Sequence, residues 1–61
     1  MPNILIVEDE AAIRRVLAKI LKEQNSNYKI EEAENGKIAK DLIKTNDFDL
    51  VLCDIKMQLK I

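Results

Sequence analysis

The sequence predicts an α/β fold in which parallel strands are joined by helical crossovers in the order β-α-β-α-β. Three observations carry this prediction. Ile4-Leu5-Ile6-Val7 and Leu50-Val51-Leu52-Cys53 are unbroken apolar runs of strand length, as expected of strands inside a parallel sheet. Two segments of helical period lie between them, and a third strand-like segment separates those helices. The strands are thus too far apart for hairpins, and such alternation points to right-handed crossovers. Chain order alone leaves the strand order open.

The first strand is the β-branched run Ile4 to Val7. After it, Ile13, Val16, Leu17, Ile20 and Leu21 recur at i, i+3, i+4, i+7 and i+8, the spacing of a one-faced helix. Arg14, Arg15, Lys19, Lys22 and Glu23 fall on the opposite side, which reads as a solvated face. Glu8, Asp9 and Glu10 precede this helix, where acids suit its dipole. Gln24-Asn25-Ser26-Asn27 is loop chemistry. Tyr28 to Ala33 then alternates, with Tyr28 and Ile30 on one face and Lys29 and Glu31 on the other. That pattern predicts a half-exposed strand at a sheet edge. Asn35-Gly36 predicts a turn. Ile38, Ala39, Leu42 and Ile43 form a second helical stripe, which Thr45-Asn46-Asp47 ends, and Phe48 leads into the third strand. Tyr28 and Phe48 read as packing residues. Cys53 reads as core filling, against the alternative of a redox switch beside Asp54.

Sixty-one residues make one domain with a small core. A chain of this size buries only about 60% of the surface that it exposes when unfolded. Cys53 is the single cysteine, so an internal disulfide is excluded, and such sparing use suits a reducing compartment. Ten basic and eleven acidic residues, net charge −1, provide no electrostatic reason to bind nucleic acid or an anionic membrane. No apolar run approaches the ~18 residues of a membrane span, and the start Met-Pro-Asn-Ile-Leu lacks a basic leader region. The expected location is the cytoplasm. At 48% hydrophobic residues, the chain is too apolar to be read as disordered.

Three carboxylates stand where this topology lets them meet. Glu8 and Asp9 follow the first strand and Asp54 follows the third. Parallel strands end on one side of a sheet, the side where open α/β sheets bind ligands. If the two strands are neighbours, the three acids converge. Two charges ~5 Å apart at an effective dielectric of ~20 repel by roughly 3 kcal/mol, so convergence calls for a protonated acid or a cation. With no His or Cys ligand set, a hard cation fits, Mg²⁺ above all. Such a site leaves positions for phosphate oxygens, and an aspartate can act as the nucleophile of an acyl phosphate. The competing reading is plainer: acids between a strand and a helix are commonly caps and dipole partners. Spacing alone does not decide between the two.

Ile4-Leu5-Ile6-Val7-Glu8-Asp9-Glu10 resembles the opening strand and acidic pair of bacterial response-regulator receiver domains. Ala33-Glu34-Asn35-Gly36 resembles the turn before their second helix, and Asp47 to Met57 is similar to their third strand with its phosphorylated aspartate. The resemblance runs from about Asn3 to Met57. It implies the β-α-β-α-β half of a flavodoxin-like, doubly wound parallel sheet, with strand order 2-1-3 taken from the full 2-1-3-4-5. It also implies that Asp54 accepts phosphate from a sensor histidine kinase or phosphotransfer protein. Glu8, Asp9 and Asp54 would hold Mg²⁺ together with the backbone carbonyl of Lys56. In this family the first helix is also a docking face for the kinase, which is a second reading of Arg14 and Arg15.

Departures accompany the match. Glu8 stands where the family more often has Asp, and Gln58-Leu59-Lys60-Ile61 replace the expected Pro and Gly-containing turn. The family's later hydroxyl residue and lysine have no counterpart here. Residues 1–61 are therefore expected to be a truncated receiver domain. The open edge of its third strand should promote self-association, unless the chain is a fragment of a longer protein. The leading expectation is a Mg²⁺-dependent phosphoacceptor module of two-component signalling, without turnover of its own. The alternative is a receiver fragment inactive in phosphotransfer, acting as an assembly unit through the third strand. A free-standing metal-dependent hydrolase fits poorly, because two strand ends supply too few groups for catalysis.

Overall fold

The computed structural model describes residues 2–53. The chain runs β1 (Asn3–Val7), α1 (Ala11–Gln24), β2 (Lys29–Ala33), α2 (Gly36–Thr45) and β3 (Leu50–Cys53). The three strands form one parallel sheet in the order β2-β1-β3. This is the expected order, and it makes the first and third strands neighbours. β1 takes the centre and is the most deeply buried strand. Ile4, Leu5, Ile6 and Val7 are all buried, whereas β2, at one edge, carries Lys29, Glu31 and Glu32.

The chain steps from β1 outward to β2, then back across β1 to β3. Right-handed connections in opposite directions put the two helices on opposite faces of the sheet. Leu5 and Val7 pack with Ala33 of β2 and Ala39 of α2, and Leu42 and Phe48 close over this cluster. Side chains alternate along a strand, so Ile4 and Ile6 face the other way, toward α1, which contacts β1 and β2. Both sides of β1 are therefore core, as its unbroken apolar run requires.

A polar clasp sets the β1–β3 register at its start. The Asn3 N–H donates to Asp49 Oδ2 (2.7 Å), the Asp49 N–H donates to Asn3 O (2.8 Å), and Asn3 Nδ2 donates to Asp47 O (3.0 Å). Ile4 then lies opposite Leu50 and Val7 opposite Cys53. A slip of one residue would turn every side chain to the wrong face.

Several local expectations are revised. Asn35-Gly36 is a helix start rather than a free turn: Asn35 is the N-cap of α2, its Oδ1 accepting the Ile38 N–H at 2.8 Å, and Gly36 is the first helical residue. Only two of the five residues of the α1 stripe are used. Leu17 and Leu21 are partly buried, but Ile13, Val16 and Ile20 remain exposed, because the three-stranded sheet is narrower than the helix's apolar arc. Cys53 is exposed rather than core filling, since β3 is the outer strand and no described element covers it. Leu50 and Val51 are likewise exposed on this strand.

Candidate functional site

β1 and β3 run parallel and side by side, so their C-terminal ends share one edge of the sheet, with Val7 opposite Cys53. Glu8 continues β1 by one further ladder bond, its N–H donating to Ala33 O at 3.0 Å. This buries Glu8 to 3% exposure, a depth at which an ionised carboxylate needs compensating partners. Glu8 Oε2 accepts the Glu10 N–H at 3.0 Å, folding the carboxylate back over the loop that leads into α1. Asp9, the next residue, is exposed at the sheet edge.

As helix caps, these acids contribute little. Glu10 occupies the N-cap position of α1 without a side-chain capping bond, and the first turn holds no acid. Among the described residues, the only capping-like bond is the one to Glu8, two residues ahead of the N-cap. Asp9 is thus left to face solvent at the mouth of the site.

Arg14, read from the sequence as part of a solvated helix face, is instead built into the site. Its side chain is 14% exposed. Nη1 donates to Glu8 O at 2.8 Å, and Nε donates to Glu32 Oε1 at 3.0 Å. Arg15, its neighbour, is exposed as expected. The sequence holds a weak signal for the difference. Arg14 lies within the first turns of α1, and Glu32 lies one residue before the end of β2. The same crossover therefore brings both to the edge where Glu8 emerges.

Of the predicted ligand set, Glu8 and Asp9 stand together at the end of β1, while Asp54 and Lys56 lie outside the described residues. Among the described residues, no group of three acids, histidines or cysteines is placed to hold a metal ion. Beside the same edge, on the α2 face, lies a groove of about 510 Å³ bounded by Val7, Gly36, Ala39, Ile43, Val51 and Cys53. Lys37 and Lys40 also line it. No described helix is long and apolar enough to cross a membrane.

Comparison with known proteins agrees with this architecture. The model of the response regulator receiver domain matches residues 4–60. The chain is 50% identical over 57 residues to the transcriptional regulatory protein ResD of Bacillus subtilis, covering 90% of this chain and 22% of that protein. It is 43% identical over 55 residues to the transcriptional regulatory protein PdtaR of Mycobacterium tuberculosis, covering 90% of this chain and 26% of the relative. It is 39% identical over 55 residues to the transcriptional regulatory protein SrrA of Staphylococcus aureus, again with 90% of this chain and 22% of the relative covered. The chain thus spans about a quarter of the length of the curated relatives that it matches. No solved structure matches it. Sheet order, an acidic strand end and a family match over nearly the whole chain lead to one conclusion: this chain belongs to the response regulator receiver domain family of two-component signalling.

Proposed function

We propose that this chain is a phosphoacceptor module, phosphorylated on Asp54 in a Mg²⁺-dependent reaction with a sensor histidine kinase or phosphotransfer protein. The observation that carries this reading is the β1–β3 register. Glu8 and Asp9 continue from Val7, Asp54 continues from Cys53, and Val7 and Cys53 are partners across the sheet.

The described donors fit a hard cation. They are carboxylate oxygens, with no imidazole or thiolate from the loop that follows β1, and this chemistry selects Mg²⁺ over softer metals. Asp9 is exposed and available as a direct ligand, while buried Glu8 is held by its bond to Glu10 and shapes the inner wall. The Lys56 carbonyl and Asp54 would complete the set. When bound, Mg²⁺ neutralises charge on the transferring phosphoryl group. An Asp54 carboxylate oxygen attacks phosphorus while the bond from phosphorus to the donor's imidazole nitrogen breaks, and the imidazole leaves with the electron pair. The module performs one transfer to itself and has no outside substrate. Such exchange with a kinase fits a cytoplasmic setting.

Intact-mass measurement after incubation with Mg²⁺ and a small acyl phosphate, beside Asp54→Asn, tests this reading. A single phosphate adduct in the parent and none in the variant supports it. A folded parent chain without an adduct refutes it.

A second reading is favoured by a different observation. β3 is an outer strand whose Leu50 and Val51 are 46% and 41% exposed. Such an edge can pair with a second copy of the chain, which would make this segment an assembly unit whether or not it accepts phosphate.

A further inference from the structure

Glu8 and Asp9 pass from a buried strand into an exposed loop, and the peptide plane between them sets where Asp9 points. Three bonds hold Glu8, and each acts on a different group. Its N–H is tied to Ala33 O, its carboxylate to the Glu10 N–H and its carbonyl to Arg14 Nη1. The carbonyl belongs to the Glu8–Asp9 peptide itself, so Arg14 is the side chain that fixes the orientation of that plane.

Arg14 can do this because it is anchored at a second point. Its guanidinium is a rigid planar fork, and its Nε is held by Glu32 on β2, whose position is fixed by pairing with Ile6 of β1. The fork therefore spans α1, the β1 end and the β2 end. A lysine at position 14 would keep the charge but could not reproduce two bonds from one plane.

We propose that Arg14 is a positioning residue for the acidic pair: braced against Glu32, it locks the Glu8–Asp9 peptide so that Asp9 is presented at the sheet edge in one orientation. Where it concerns the cation, this inference rests on the Mg²⁺ reading above. Residues that orient metal ligands from behind typically change affinity by about 10- to 100-fold when altered.

The test uses the ¹⁵N-labelled chain and two readouts: the amide shifts and hydrogen exchange of Asp9 and Glu10 without metal, and Mg²⁺ affinity followed by amide titration. In Arg14→Lys, the Asp9 and Glu10 amides should shift and exchange faster, and Mg²⁺ affinity should fall about tenfold. Glu32→Gln should move both readouts in the same direction by less, and Arg15→Lys should move neither. If Arg14→Lys does not fold, Glu32→Gln, a change at a half-exposed site, decides by the same readouts. Unchanged Asp9 and Glu10 amides in the folded variants overturn the proposal. So do perturbed amides with undiminished Mg²⁺ affinity, because the brace is then structural only. A parent chain that does not respond to Mg²⁺ refutes the cation reading, and the metal-free amides then judge Arg14 alone.

Discussion

Asn35 and Gly36 show how much one residue decides in a fold this small. Asn35 satisfies one of the N–H groups that the start of α2 leaves without a helical partner. Asn35→Ala should therefore cost about 1 kcal/mol, read as a lower urea midpoint with an unchanged slope. Gly36 behaves differently. Its φ is not positive, and a Cβ there would meet nothing within 4 Å. Gly36→Ala should stabilise the chain by about 0.5 kcal/mol through the unfolded state, measured by the same titration. The dipeptide was legible as a chain reversal, but not as a cap followed by a helical residue, because turn and cap chemistry use the same side chains. Arg14 was illegible for a similar reason. A helical arginine beside another arginine looks solvated until its crossover brings it against Glu32 and the Glu8 carbonyl.

At the scale of elements, β1 and α1 differ in how much of their apolar surface is used. Leu5 is fully buried between β2, α2 and the residues leading into β3. Leu5→Ala should cost about 2–5 kcal/mol. That is a large part of the stability of a domain this size, so loss of the cooperative thermal transition is expected. Val16 is 56% exposed on the same side of α1 as the packed Leu17 and Leu21. Val16→Lys should change stability by no more than about 0.5 kcal/mol in the same measurement. An equal change at Leu17 would be far more costly. Helical period identified the stripe correctly, yet period cannot say how wide a sheet the stripe will meet.

At the scale of the whole molecule, the described residues form a three-stranded sheet with one charged edge and one apolar edge. β2 carries Lys29, Glu31 and Glu32 along its side, which discourages pairing with a neighbour, whereas β3 is Leu-Val-Leu-Cys. Self-association should therefore proceed through β3 and rise with concentration. Val51→Lys, placing a charge on that edge, should shift the light-scattering mass toward the monomer. An equal mass for parent and variant at every concentration would mean that β3 is not the contact.

The sequence by itself determined the order of elements, the buried centre at Ile4 to Val7, the edge character of the second strand and the family. Each of these is written in local period and composition: unbroken apolar runs, helical stripes, alternation, and three motifs in register. Strand order was available only through the family resemblance, since chain order is compatible with more than one sheet. Only the tertiary structure decided that Glu8 is buried while Asp9 is exposed, and that Arg14 is a brace where Arg15 is surface. It alone showed that Ile13, Val16 and Ile20 of the α1 stripe stay in solvent. These facts depend on contacts between residues far apart in the chain, and local period has no knowledge of which crossover brings them together.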